Sequence, residues 1–238
     1  VRRLPFLTNT MTSMRGAADV TDQDLGAYEA NYKTHKPGIA PQEMVDNYTT
    51  WAKDYDKSLC EGRYNGPSIC AEEVAARFPS DQRATVKIID LAAGTGRVGL
   101  ELHKRGFRNI DALEPSEGML EVLKETEVYD KSFMEFVGIG QNTVPDGYYD
   151  AVVLSGGMGE GHIPVAGIDD MVRMTKAGGL VIIVMRKEYL EYVEEYKGKL
   201  EPYMEELEKL KKWQKIGRRE VEGYSFGKTG LVFTFKVL

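Results

Sequence analysis

The stretch that decides the fold runs from 85 to 117 and reads TVKIIDLAAGTGRVGLELHKRGFRNIDALEPSE. Its apolar run at 86–91 is typical of a strand buried on both faces. A small, glycine-rich turn follows at 92–96, and the spacing of apolar residues predicts a helix from about 97 to 105. A second strand is predicted at 109–113. A strand, a tight turn, a helix and a strand in this order form the opening unit of a doubly wound α/β sheet.

Two acids and two glycines of this unit predict a nucleoside-binding edge. Gly94 and Gly96 have no Cβ, so a ligand can approach the backbone closely there. Ligands of open α/β sheets bind beyond the carboxyl ends of the strands, where we expect Asp90 and Glu114. Glu114 follows the turn by about 20 residues, the usual position of an acid that holds ribose hydroxyls. Asp90 would repel a pyrophosphate and suits a ligand with a cationic amino or sulfonium group.

An alternative interpretation starts from the same glycines. Gly94, Gly96 and Gly99 also satisfy G-x-G-x-x-G, the dinucleotide fingerprint. A nicotinamide dinucleotide seats its pyrophosphate on the helix N-terminus, which the acid at Asp90 disfavours. An NAD-dependent oxidoreductase therefore stays open as a second hypothesis.

The composition of the 238 residues predicts a globular protein with a single core. Hydrophobic residues make up 42% and charged residues 29%, and the formal net charge is -6. An acidic chain is a poor candidate for binding nucleic acid or an anionic membrane. Cys60 and Cys70 form no C-x-x-C and read as free thiols of a reducing compartment, which predicts a cytoplasmic protein without excluding the nucleus. His35, His103 and His162 show no metal-ligand spacing, so we expect no metal.

The rest of the chain predicts a helical N-terminal half and more strands after the central stretch. We expect a mobile or helical extension at 1–40, then one domain at 41–238 with a helical cap at 41–80. The predicted helices lie at 21–35, 41–57, 68–78, 116–127 and 163–176, with Thr21 and Asp24 forming a capping box and Ser116 capping its helix. Gly198 and Pro202 are expected to split 187–213 into two helices. The predicted strands lie at 133–140, 150–155, 180–185, 214–224 and 231–238.

The loop GGMGEGHIP at 156–164 follows a predicted buried strand and should line the substrate pocket. Glu160 and His162 are its titratable groups and the candidate catalytic residues. His162 could act as a general base near neutral pH, or it could only order the loop. A substrate that is already nucleophilic needs no base, because its alignment in the pocket can suffice.

Two strings, D-L-A-A-G-T-G at 90–96 and E-P-S-E-G-M-L at 114–120, resemble the class I S-adenosylmethionine-dependent methyltransferases. Further strings, among them Y-T-T-W-A-K-D-Y-D at 48–56 and S-G-G-M-G-E-G-H-I-P at 155–164, are similar to one branch, the methyltransferase-like proteins associated with the Williams–Beuren syndrome region. The resemblance implies a Rossmann-like, doubly wound sheet of seven strands, mostly parallel with a terminal antiparallel hairpin, and a helical N-terminal cap.

The resemblance also implies S-adenosylmethionine as cofactor and S-adenosylhomocysteine as product. Trp51 and Tyr55 would cover the site, and Met119 and Ile139 would flank the adenine. Many members carry an acid after the third strand for the adenine amino group, and none stands at 137–140 here. The predicted cofactor-binding residues are Trp51, Tyr55, Asp90, Ala92, Gly94, Gly96, Glu114, Pro115, Met119, Ile139, Gly140 and Ser155.

The acceptor is not readable from these motifs. The net negative charge of the chain favours a small molecule as the acceptor, with a protein substrate as the alternative. A third hypothesis is a cofactor-binding protein without catalysis that works through a partner, contacted by the long charged helices near the C-terminus. The sequence indicates no oligomeric state.

Overall fold

A computed structural model describes residues 20–21 and 23–238, so half of the predicted extension at 1–40 lies outside the described residues. The described residues form one mixed sheet of seven strands. The strands are β1 (Lys87–Leu91), β2 (Asn109–Leu113), β3 (Lys131–Phe133), β4 (Tyr149–Ser155), β5 (Thr175–Arg186), β6 (Trp213–Ser225) and β7 (Lys228–Val237).

The strand order is β3-β2-β1-β4-β5-β7-β6. Strands β1 to β5 pair in parallel, and β7 pairs antiparallel with both β5 and β6. This confirms the Rossmann-like sheet with a terminal antiparallel hairpin. The order reverses next to β1, because β2 lies on one side of it and β4 on the other. Such a switch point opens a crevice at the carboxyl ends of the strands, where the connections on the two sides diverge.

Helices precede the sheet and connect its strands. They are α1 (Leu25–Lys33), α2 (Pro41–Ser58), α3 (Gly66–Arg77), α4 (Arg97–Lys104), α5 (Glu117–Lys124), α6 (Gly167–Met174), α7 (Tyr189–Tyr192) and α8 (Leu200–Lys209). Pro41 occupies the first turn of α2, where its missing N–H costs no helical bond. Ser116 caps α5 as expected, with its hydroxyl accepting the N–H of Met119 at 3.2 Å. No helix in the described part of the chain is both long and apolar enough to cross a bilayer.

The core lies on both faces of the sheet. Successive residues of a strand point to opposite faces, and here Ile88 joins one apolar cluster while Ile89 and Leu91 join the other. Because both clusters are covered by helices, the parallel strands are apolar on both faces, which is why they read as continuous apolar runs.

Two local predictions were wrong and a third held only in part. The strand predicted at 133–140 does not form: β3 ends at Phe133, and beyond it Gly138 and Gly140 take left-handed conformations with φ of +71° and +72°. The segment 187–213 does contain two helices, α7 and α8, with Gly198 between them, but Pro202 lies in the first turn of α8 and does not separate them. The capping box at Thr21 does not form either, because its hydroxyl donates to the Asp24 carboxylate at 2.7 Å and Asp24 caps no N–H.

Candidate functional site

A cavity of about 670 Å³ opens at the carboxyl ends of β1, β2 and β4. We call it the edge cavity. Its walls come from α2, from the turns after β1 and β2, and from the loops after β3 and β4. The lining residues are Met44, Tyr48, Tyr55, Ala92, Gly94, Leu113, Glu114, Pro115, Met119, Phe136, Val137, Ile139, Ser155, Gly156, Gly157, Gly161, His162 and Ile163.

The turn after β1 presents backbone to this cavity. Ala92, Gly94 and Gly96 all have positive φ, at 51°, 57° and 87°. A Cβ placed on Gly94 would meet no atom within 4 Å, so the backbone there borders open space. Ala92 holds a conformation that L-residues seldom adopt, and such local strain clusters at ligand sites.

Glu114 is buried at the rim of the edge cavity and grips the turn. One carboxylate oxygen accepts the N–H of Gly94 at 2.9 Å, and the other accepts the N–H of Ser116 at 2.9 Å. Burial raises the pKa of Glu114 to about 7, although the two backbone N–H groups act in the opposite direction. Each oxygen keeps a second lone pair that can accept a further donor.

Asp90 lies one residue before the end of β1 and does not line the edge cavity. Its Oδ2 accepts the hydroxyl of Tyr129 at 2.7 Å, while its buried Oδ1 has no hydrogen-bond partner. Burial raises the pKa of Asp90 to about 7, and the nearby Glu114 raises it further. A buried carboxylate oxygen without a donor can accept a hydrogen bond from a ligand or from a water.

Gly99, the third glycine of the dinucleotide fingerprint, serves this same tyrosine. Its N–H donates to the Tyr129 hydroxyl at 2.9 Å, and a Cβ on it would lie 2.3 Å from the tyrosine ring. Gly99 is therefore required for packing within the protein, and the fingerprint loses its value as support for NAD.

The predicted cofactor residues divide into two groups. Those that line the edge cavity are Tyr55, Ala92, Gly94, Glu114, Pro115, Met119, Ile139 and Ser155; those that do not are Trp51, Asp90, Gly96 and Gly140. Trp51 packs behind Tyr55, edge to face with ring centroids 4.8 Å apart. The sequence analysis missed Phe136 and Tyr129. Phe136 lay in the apolar run interpreted as a strand, and Tyr129 had no motif around it.

Helix α2 closes one side of the edge cavity with Met44, Tyr48 and Tyr55. It is fastened to α5 by a hydrogen bond of 2.8 Å between the hydroxyls of Thr49 and Ser116. Gly118 allows this close packing, since a Cβ on it would lie 2.6 Å from the Thr49 carbonyl oxygen.

His162 lines the edge cavity, and both of its ring nitrogens form hydrogen bonds. Its Nδ1 lies 2.7 Å from the carbonyl oxygen of Glu160, which can only accept, so Nδ1 carries the proton. Its Nε2 then accepts the hydroxyl of Tyr48 at 2.9 Å. Burial lowers the pKa of His162 to about 4. This neutral, engaged ring favours the loop-ordering role over the general base. The carboxylate of Glu160 accepts the N–H of Gly38 and lies outside the edge cavity.

The groups around the edge cavity fit an S-adenosyl nucleoside. Glu114 has free lone pairs at the position expected for a ribose, the turn at Gly94 exposes its backbone, and Met119 and Ile139 offer apolar walls for a flat base. The unpartnered oxygen of Asp90 adds negative charge beneath the turn. Two buried acids around a glycine turn suit a cationic ligand better than a pyrophosphate.

Comparisons with known proteins agree with this geometry. A family model described as "Methyltransferase domain" matches residues 88–179. The chain is 30% identical over 167 residues to Methyltransferase-like protein 27 from Homo sapiens; the matched part is 70% of this chain and 66% of that protein, just under two thirds of its length.

Two solved structures show the same fold at low sequence identity. The 1,6-didemethyltoxoflavin-N1-methyltransferase of Burkholderia thailandensis, with bound 1,6-didemethyltoxoflavin and S-adenosylhomocysteine, matches with a TM-score of 0.57 and 14% identity, over 84% of this chain and 92% of that one. The [4+2]-cyclase SpnF matches with a TM-score of 0.63 and 12% identity, over 85% and 98%.

Proposed function

We propose that this chain, which belongs to the class I S-adenosylmethionine-dependent methyltransferases, transfers the methyl group of S-adenosylmethionine to a small molecule. The observation that carries the proposal is the buried Glu114 carboxylate, which holds the glycine turn at the carboxyl edge of β1 and keeps free acceptor capacity beside the cavity.

The cavity residues divide the work of holding the cofactor. Glu114 accepts the ribose hydroxyls, while Met119 and Ile139 enclose the adenine. The exposed backbone at Gly94 and the negative charge of Asp90 favour the methionine end, which carries an ammonium group. Tyr55 covers the site and excludes water, with Trp51 packed behind it.

Methyl transfer then requires alignment more than acid–base chemistry. When bound, S-adenosylmethionine supplies an electrophilic methyl group. A lone pair of the acceptor forms the new bond to the methyl carbon, and the electron pair of the broken carbon–sulfur bond stays on the sulfur of S-adenosylhomocysteine. Any proton on the acceptor leaves to solvent. The loop after β4 positions the acceptor, and the hydrogen bond between Tyr48 and His162 holds that loop against α2. Orientation of reacting groups contributes several kcal/mol to such displacements.

Calorimetry tests the cofactor assignment directly. S-adenosylmethionine and S-adenosylhomocysteine should bind, and NAD should bind more weakly or not at all. Tighter binding of NAD would overturn the proposal. The catalytic part is tested with methyl-labelled S-adenosylmethionine against a panel of small molecules and a separate panel of proteins. Label on proteins alone would refute the small-molecule acceptor, and label on neither would favour a binding protein that acts through a partner.

A further inference from the structure

Two smaller cavities continue from the edge cavity toward the end of β5. The inner cavity, of about 350 Å³, shares Tyr48, Tyr55 and Gly156 with the edge cavity. The outer cavity, of about 390 Å³, shares Asn31, His35, Arg186 and Tyr189 with the inner one. The three cavities therefore form a row. The inner cavity lies next to the proposed methyl-donor site, and most of the predicted cofactor residues do not line it.

The inner cavity carries a single cationic side chain. Of the described residues that line it, only Arg186 is charged, because the remainder are aromatic, apolar or neutral polar groups and burial lowers the pKa of His35 well below its usual value. Arg186 is 4% exposed. Lys and Arg side chains are almost never so deeply buried unless an anion or an acceptor pairs with them.

Of the three nitrogens of the Arg186 guanidinium, Nε alone has no hydrogen-bond partner among the described residues. Its Nη2 donates to the hydroxyl of Ser225 at 2.8 Å, and its Nη1 lies 3.2 Å from a carboxylate oxygen of Glu188. Its Nε–H is buried and has no acceptor. Nε and Nη2 form one edge of the planar guanidinium, the edge that pairs side-on with a carboxylate. Arg186 and Ser225 both line the inner cavity, so the guanidinium group borders the space next to the edge cavity.

Flat rings connect Arg186 with the edge cavity. The guanidinium carbon lies 5.3 Å from the centre of the Tyr189 ring. The Tyr189 ring stacks on His35 with centroids 5.9 Å apart, and His35 stacks on His162 at 4.2 Å. Since His162 lines the edge cavity, these rings make a continuous wall of planar groups from the cation to the cofactor site.

We propose that the methyl acceptor is a planar small molecule with a carboxylate, which Arg186 binds through its Nε and Nη2 donors while the body of the acceptor lies along the ring wall. This inference rests on the proposed function and adds the class of acceptor to it. The carboxylate satisfies the unpaired Nε–H, while Glu188 pairs with Nη1 of the same guanidinium. The nucleophilic atom lies at the opposite end, toward Gly156 and the edge cavity.

The test uses benzoate and benzamide as probes, which have the same shape and differ in charge. Each is titrated by calorimetry into the protein with and without S-adenosylhomocysteine. Benzoate should bind at least about tenfold more tightly than benzamide, because a hydrogen bond to a charged group is stronger than one to a neutral group. In the Arg186→Gln variant, benzoate should lose this advantage while benzamide binds as before.

Two further variants keep the result interpretable. Lys187→Gln removes the neighbouring exposed charge, which pairs with Glu220, and should leave the preference for benzoate unchanged. Arg186→Lys keeps the charge but loses the side-on pair of donors, so a reduced preference is expected even if Arg186→Gln fails to fold. Labelled methyl transfer to 3,4-dihydroxybenzoate and to its amide provides an independent readout and should favour the acid.

The outcomes separate the two proposals. If benzoate binds no tighter than benzamide, or if neither binds, the assignment of Arg186 is overturned, whatever the affinity for S-adenosylhomocysteine. If S-adenosylhomocysteine does not bind, the proposed function fails, and the benzoate titration without it still reports on Arg186 alone.

Discussion

Replacing Glu114 by glutamine changes the charge at the cofactor edge with almost no change in shape. The carboxylate accepts the N–H groups of Gly94 and Ser116, one on each oxygen, at 2.9 Å. A glutamine has only one acceptor oxygen, so its amide group must face one of these N–H groups as a second donor. It also offers the ribose hydroxyls fewer lone pairs than the carboxylate does, and it carries no negative charge.

The expected loss of affinity follows from the kind of hydrogen bond removed. A hydrogen bond to a charged acceptor contributes about 1.5–3 kcal/mol. Since 1.4 kcal/mol corresponds to a factor of ten, Glu114→Gln should weaken the binding of S-adenosylhomocysteine by about 10- to 150-fold.

The same variant should change the pH dependence of binding. Burial raises the pKa of Glu114 to about 7, and donors from the ligand favour the ionised form. Affinity of the unmodified protein should therefore fall as the pH drops below about 7, by up to about tenfold per pH unit for this group, and level off above it. In Glu114→Gln that contribution is absent and the profile is flatter, with the dependence due to Asp90 left in place.

Calorimetric titration with S-adenosylhomocysteine between about pH 6 and pH 8 measures both effects. Glu117→Gln is the matched control, because this neighbouring acid is exposed and does not line the edge cavity. Equal affinity of the Glu114→Gln variant and the unmodified protein at pH 8 would refute the ribose assignment. An unchanged pH profile would refute the claim that this buried carboxylate must ionise to bind.

Two other substitutions test the supports of the site. Tyr129→Phe removes the hydroxyl that donates to Asp90, leaves a buried carboxylate oxygen without its donor, and should lower the free energy of unfolding by about 1–3 kcal/mol in urea denaturation; an unchanged midpoint would contradict this. Gly118→Ala places a Cβ 2.6 Å from the Thr49 carbonyl, and should destabilise by about 1–3 kcal/mol and weaken S-adenosylhomocysteine binding by loosening α2. Gly26→Ala, where a Cβ meets nothing within 4 Å, is the control and should be neutral or stabilising by up to about 1 kcal/mol.

The centre of the fold could be predicted from sequence because local and long-range requirements coincide there. The strand β2 was predicted with its observed bounds, Asn109–Leu113, and α4 within one residue. Gly106, just beyond this helix, has a positive φ of +98°, a conformation that glycine often supplies at helix ends. In these segments the apolar period, the turn residues and the burial all indicate the same element.

The segment after β3 shows where this agreement ends. Residues 133–140 contain an apolar run that periodicity cannot distinguish from a buried strand. In the structure the N–H of Gly138 donates to the carboxylate of Asp170, on α6, instead of to a neighbouring strand. That contact spans 32 residues, and no local pattern indicates it. The run is apolar because Phe136 and Val137 line the edge cavity.

The candidate site shows the same division. Glu114 was predicted at the right place because its distance from the turn follows from the length of the helix between two parallel strands. Asp90 lies at the predicted edge, but no motif in the sequence indicated its neighbour Tyr129, which approaches it from the connection between α5 and β3. Long-range partners such as this tyrosine depend on how α5 packs, which sequence spacing alone does not determine.

Arg186 is the last residue of β5, and Asp90 lies one residue before the end of β1, so the rule that predicted the acids applies to both. The carboxyl ends of parallel strands meet at one edge of a sheet, so charged residues at these ends lie near the ligand crevice. Applied to every strand, that rule divides the edge into two halves. Buried acids stand at β1 and β2, and a buried cation stands at β5, across β4 from them. In the arrangement that we propose, a cationic methyl donor occupies the first half and an anionic acceptor the second, on either side of the glycine loop that follows β4.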